Sequence, residues 1–331
     1  MFRYLRRTGA AGARYEGPDP RQLALPLGRA VRYIHLVTDM TSTNDGANEV
    51  NIQIMAASTS IKEPSNGQDL LAITNFLGSI SLHNSSDYDL VDTPAAISTL
   101  VDSLVGQPIT PPSLYIDLEG VKLSRHGSIS VLQVFVSPSH RTYLVDIHAL
   151  RDKAFVTRGA NGCTLKEIFE SDTIPKVFFD VRNDSDALFA HFGVRLKGVE
   201  DVQLMENAAR PPGRRQFVNG LDRCINTDAG LSLTQRTEWK SVKEKGLRLF
   251  HPTQGGSYEV FNTRPMSIDI IRYCVNDVVY LPQLRQVYWT RLDIGWREKV
   301  VVETEKRVQE SQTPSYQPQG ERKKYGPWGK G

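Results

Sequence analysis

Asp117 and Glu119 stand two residues apart in the apolar run Leu114-Tyr-Ile-Asp-Leu-Glu-Gly120. A strand turns successive side chains to opposite faces, so this spacing aims both acids the same way. Side by side on an apolar strand they repel each other and are costly to desolvate. A bound Mg²⁺ or Mn²⁺ would remove that cost, because such cations take oxygen ligands. An ordinary solvent-facing Asp-x-Glu is the alternative reading. Two further groups carry related chemistry. Asp184 follows Asn183 in a cluster that also holds Asp180 and Asp186. Tyr273 and Asp277 are four residues apart in an apolar helical pattern, which puts them on one helix face.

The elements that must position these groups can be read from the flanking residues. A strand near Leu90 leads to a helix with Thr93 as N-cap and Pro94 at its first position. Ile97, Leu100, Val101 and Leu104 then repeat at helical spacing. The carboxylate strand, a long apolar strand over 128–136 and another over 141–147 are joined by short turns, which predicts an antiparallel meander. Alternating helix and strand follow. Thr164 and Glu167 form a capping box, residues 175–179 are a buried strand, and Gly193 stops a helix that begins near Ser185. A short strand from Val199 runs into a helix. Ser267 caps the last strong helix, which Pro282 should kink. A meander followed by α/β units predicts a mixed sheet with helices on its faces.

Composition limits the rest. The chain has 331 residues, 40% of them hydrophobic, enough for a sizeable core, and a formal net charge of only +3. Three cysteines without metal spacing point to a reducing compartment rather than a disulfide framework. No apolar run approaches a membrane span, and no secretory signal is evident, so the protein is expected inside the cell, in cytoplasm or nucleus. Arg3, Arg6, Arg7 and Arg14 with no acid before Glu16 also match the composition of a mitochondrial transit peptide. Residues 1–89 are polar and weakly periodic and are expected to be mostly disordered or loosely ordered. Residues 90–300 are expected to form the folded domain, and 301–331 a disordered basic tail. Between 207 and 261, Arg210, Arg214, Arg215, Arg223, Arg236, Lys240, Lys243, Lys245 and Arg248 form either a solvated surface or a positive wall for phosphates. Phe135, Trp239 and Tyr258 are candidate stackers for bases. The histidines show no metal spacing, and no nucleophile elbow or dinucleotide fingerprint is present.

The order Asp117-x-Glu119, Asn183-Asp184, Tyr273-x-x-x-Asp277 resembles the DEDD superfamily of 3′–5′ exonucleases, in the subclass with a tyrosine in its third motif. The RNase D-like and Egalitarian-like branch is most similar. Glu119-Gly-Val, Gln133 in the next strand, Arg264-Pro-Met and Asp277-Val-Val-Tyr-Leu add to the likeness. The resemblance implies a ribonuclease H-like α/β fold. It implies that Asp117, Glu119, Asp184 and Asp277 hold two Mg²⁺ or Mn²⁺ ions and that Tyr273 orients the attacking water. The catalytic set would be Asp117, Glu119, Asp184, Tyr273 and Asp277. The implied substrates are single-stranded RNA or DNA 3′ ends, and the implied products are nucleoside 5′-monophosphates. Converging carboxylates of this number would be untenable without cations, and two ions about 4 Å apart form a clamp for in-line attack on a phosphodiester. Asp180 is the alternative for the third carboxylate, and Asp186 reads as a plain surface residue of its helix. The alternative function is a catalytically silent nucleic-acid adaptor on the same fold.

Overall fold

The computed structural model describes residues 88–329 and, before them, the backbone of four short strands. The chain divides into two units, Met1–Ser81 and Leu82–Gly331. In the first, β1 (Leu25–Leu27) pairs antiparallel with β2 (Ala30–Arg32), and β3 (Val37–Ser42) with β4 (Asn48–Gln53). The rest of the expected disorder, and the Arg-rich start, lie outside the described residues.

The second unit is built on a six-stranded sheet. Its strands are β5 (Tyr88–Val91), β6 (Leu114–Glu119), β7 (Val131–Val136), β8 (Arg141–Asp146), β9 (Lys176–Phe178) and β10 (Val199–Asp201), in the order β10-β9-β6-β7-β8-β5. The meander expected from the short turns is present: β6 pairs antiparallel with β7, and β7 with β8. The remaining pairs are parallel, which makes the sheet mixed. All six residues of β7 are buried, as the run Val-Leu-Gln-Val-Phe-Val requires of an interior strand. Directly after Glu119 the chain must turn against the start of β7. A Cβ on Gly120 would lie 2.0 Å from the Ser128 carbonyl oxygen, so only glycine permits that approach.

Helices cover both faces. Leu114, Ile116 and Leu118 of β6 pack with α1 (Pro94–Leu104) and with the apolar sides of α4 (Leu165–Phe169) and α5 (Arg182–Phe192), after the short turns α2 (Ile147–Leu150) and α3 (Lys153–Val156). The alternate residues Tyr115, Asp117 and Glu119 belong to the opposite face. That face carries α6 (Val202–Ala209), α7 (Leu221–Asp228), α8 (Leu233–Phe250), α9 (Ile268–Val278) and α10 (Leu281–Arg291). The caps follow the sequence: Thr93 accepts from Ala96 N, Thr164 and Glu167 form the capping box, and Ser267 accepts from Ile270 N.

Two expectations are corrected. Pro282 does not kink one long helix. Helix α9 ends at Val278, and Pro282 sits in the first turn of α10, where its missing N–H costs nothing. Nor is 301–331 a disordered tail as far as Gly329. Helix α11 (Ile294–Ser311) runs past residue 300 and buries Val300, Thr304, Arg307 and Val308. Its anchor is polar: Arg307 Nη1 donates to Asp201 Oδ2 at 2.8 Å, with both side chains buried. Apolar periodicity does not reveal a helix held by a distant ion pair.

Candidate active site

Helix α9 lies across β6, β7 and β8 and presents Tyr273 and Asp277 to the face that bears Asp117 and Glu119. One carboxylate oxygen each from Asp117, Glu119 and Asp277 lie within 4.8 Å of one another. Asp184 stands outside that 4.8 Å group, in the first turn of α5. It is 5% exposed, and its Oδ1 has no hydrogen-bond partner among the described residues. Gln133 faces Asp117 from β7, fully buried, and its amide also lacks a partner among the described residues.

The cost of this arrangement shows in the protonation of the acids. Burial, with Asp277 adding repulsion, pushes Asp117 up to about 7. Burial and then Asp117 push both Glu119 and Asp184 well above the usual carboxylate range. Asp277 is raised by burial, and Lys243 offsets part of the rise. Carboxylates at this depth keep their charge only with cations close by. An all-oxygen donor set with unfilled acceptors fits Mg²⁺ or Mn²⁺.

One cation is already built in. Lys243 Nζ donates to Asp277 Oδ1 at 2.7 Å and Oδ2 at 2.8 Å, and to the Tyr273 hydroxyl at 3.0 Å. Burial opposes the ammonium charge, but Asp277 holds Lys243 above the ordinary lysine range. Gly246 makes this contact geometry feasible. A Cβ there would sit 2.3 Å from the Tyr273 ring, so glycine lets α8 approach α9 closely enough to lay Lys243 over the pair. Lys243 was visible in the sequence only as one of nine basic residues. Its place three residues before a helical glycine is the signal that could have singled it out.

The crowded second motif resolves by partners. Asp180 is held by Arg182, whose Nη2 donates at 2.7 Å, with Arg307 3.7 Å away. It therefore belongs to an ion network and not to the acidic cluster. Asp186 is not a surface residue: it is fully buried and receives Arg125 Nε at 2.6 Å and Arg125 N at 2.8 Å. Of the candidate stackers, Phe135 and Trp239 are core residues, 4% and 2% exposed, and are unavailable to bases. Tyr258 is half-buried and lines a cavity of about 470 Å³ beside Glu119. Among the bases, Arg210 is committed to Glu206 and Arg215 lies over Trp296, whereas Arg236, Lys245 and Arg248 of α8 are exposed.

A ribonuclease H-like sheet with carboxylates on its central strand and a Tyr-x-x-x-Asp helix across it defines an exonuclease of the DEDD type. Residues 88–293 match the family described as 3′–5′ exonuclease, and the chain belongs to that family. Among curated proteins it is similar to the piRNA biogenesis protein EXD1 of Homo sapiens, 28% identical over 172 residues, covering 52% of this chain and 31% of that protein. The Mus musculus protein of the same name is 30% identical over 179 residues, covering 53% and 28%. The chain thus spans less than a third of the length of these relatives. Among solved structures, Trypanosoma brucei RNase D aligns with TM-score 0.55 at 24% identity over 69% of this chain and 74% of that one. The same enzyme in complex with RNA U12 aligns with TM-score 0.55 at 21% identity over 71% and 74%. At these identities the likeness is one of fold.

Proposed function

We propose that the chain is a metal-dependent exonuclease that hydrolyses the terminal phosphodiester at the 3′ end of a single-stranded nucleic acid and releases nucleoside 5′-monophosphates. The observation that carries this reading is the 4.8 Å gathering of the half-buried Asp117 and Glu119 with the buried Asp277. Asp117, Glu119, Asp184 and Asp277 would hold two divalent cations, which when bound supply a water of lowered pKa and stabilisation for the leaving 3′-oxygen. The Tyr273 hydroxyl is held well above its ordinary range by burial and then by Asp277, so it stays protonated. It can orient an attacking water but cannot deprotonate it. Lys243 donates to that hydroxyl and so directs the Tyr273 proton away from itself, toward the cluster. The exposed bases of α8 supply phosphate contacts that hold the strand without reading its sequence. The name of the curated relatives points to RNA as the polymer to test first.

The binding-only adaptor is favoured by one observation: an ammonium already neutralises Asp277. Against it stands the complete set of four carboxylates and a tyrosine. Digestion of 5′-labelled single-stranded RNA and DNA, with Mg²⁺ or Mn²⁺, decides between the two. The exonuclease gives a ladder shortening from the 3′ end, lost in Asp117→Asn and in chelator. Salt-sensitive binding without shortening by folded wild-type protein would establish the adaptor instead.

A further inference from the structure

The segment after α11 lies beyond the residues that match the exonuclease family, which end at 293, yet it returns to the site. Its start is held by two contacts from opposite sides. Arg125 Nη2 donates to Ser311 O at 2.7 Å, and Gln312 Nε2 donates to Ser185 Oγ at 3.2 Å. Its end is held by a bridge between Tyr325 and Phe217, whose rings stack at 5.3 Å, and by Val218 N donating to Lys324 O at 3.0 Å. Between these anchors both Tyr316 Oη, at 2.8 Å, and Lys323 Nζ, at 2.7 Å, donate to Asn183 Oδ1, on the residue preceding Asp184. Lys323 Nζ also reaches Pro318 O at 3.3 Å, and Pro318 is buried. The strap is therefore fixed over the edge of the acidic cluster.

Through Gln319 it forms one side of an open groove of about 470 Å³ whose lining also includes Glu119, Gly120, Lys122, Leu123, Asn183 and Tyr258. That volume falls in the ~300–1,000 Å³ range of small-molecule sites. A carboxylate at one end, an aromatic ring and a leucine in its wall, and amides beside them suit a nucleoside next to a reacting phosphate. Gln319 is exposed and makes no side-chain hydrogen bond among the described residues, although the strap that carries it is fixed. Its amide offers a donor and an acceptor together, the pattern that reads a base edge.

Resting on the exonuclease reading, we propose that the C-terminal strap 312–324 is the outer wall of the terminal-nucleotide pocket and that Gln319 contacts the 3′-terminal base, so that this added segment sets which 3′ ends the site accepts. Tyr316 and Lys323 act as positioning residues, through Asn183.

The test is binding of AMP, GMP, CMP and UMP, in Mg²⁺, to full-length wild type and Gln319→Ala. It is paired with KM and kcat on 5′-labelled RNAs that differ only in the 3′-terminal base. Loss of one hydrogen bond should weaken the preferred nucleotide about three- to tenfold and narrow the spread among the four. The same loss should appear in KM more than in kcat. Gln319 is exposed, so thermal unfolding should report an intact fold. Lys323→Met, which frees the strap near Asn183, should narrow the spread in the same direction. Unchanged relative affinities in Gln319→Ala would overturn the inference, as would a wild type that binds none of the four. The two readings separate cleanly. Shortening of RNA with Gln319-independent base preference leaves the exonuclease and removes the strap's role. Gln319-dependent nucleotide binding without any shortening does the reverse.

Discussion

Asp117 carries a proton in the folded, cation-free protein at a pH where the unfolded chain has lost it, since burial and Asp277 raise it from 3.8 to about 7. A raised carboxyl contributes stability that is complete below its unfolded value and is lost as pH rises through its folded value. The cation-free protein should therefore weaken between about pH 4 and 7 through this group. Divalent cations compete with the same protons. The rise in Tm on adding Mg²⁺ or Mn²⁺ should accordingly be large at pH 8 and small at pH 5.5. Equal shifts at both would show that the carboxylates are not the ligands. At pH 8, where Asp117 is charged even in the cation-free protein, Asp117→Asn removes a repelling charge, so it should raise Tm in chelator while abolishing both the cation-dependent rise and nucleolysis. Lys243→Met leaves Asp277 buried without its ammonium. Breaking such a pair should cost about 3 kcal/mol in chelator by urea unfolding. Cations that neutralise Asp277 should shrink that penalty. An equal cost with and without Mg²⁺ would mean that Asp277 does not take part in binding.

At the scale of elements, the contact between α8 and α9 places the tyrosine and its lysine. Gly246 should be replaceable by alanine on propensity alone, with a gain of about 1 kcal/mol. Packing predicts the reverse. The added methyl would lie 2.3 Å from the Tyr273 ring, and overpacking of this kind costs about 1–3 kcal/mol. Gly246→Ala should thus be destabilised in urea and lose activity by shifting Tyr273. A stabilised variant would show that the helices can part without consequence. The elements were legible where each announces itself locally: apolar runs for the strands β6 and β7, and side-chain caps at Thr93, Thr164 and Ser267 for the helices α1, α4 and α9. The break between α9 and α10 was not, because a proline at 282 is compatible with either a kink or a new first turn.

At the scale of the molecule, the folded unit is larger than the part that matches the family. Arg307, 4% exposed, pairs with the fully buried Asp201, which also caps α6 through Gln203 N and Leu204 N. Arg307→Met should cost about 3–5 kcal/mol by stranding that carboxylate. Asp201→Asn in the same chain should recover part of the loss in a double-mutant cycle. Additive effects would place the stability of α11 elsewhere, in Val300 and Val308.

That Asp117 and Glu119 share a face of their strand, and Tyr273 and Asp277 a face of their helix, was readable from the sequence because the periods of strand and helix are short. Two residues along β6 and four along α9 return to the same face whatever surrounds them. The mixed sheet was readable for a similar reason, through turn length and alternation of elements. Only the tertiary structure distinguished Asp184 from Asp180 and Asp186, because Arg125, 61 residues before Asp186, and Arg307, far beyond Asp180, come back to those two acids, whereas Asp184 Oδ1 has no partner among the described residues. It alone seated Lys243 on Asp277, 34 residues away, and brought the C-terminal strap back to Asn183, 140 residues before Lys323. Such contacts depend on three-dimensional closure, and no local period encodes them.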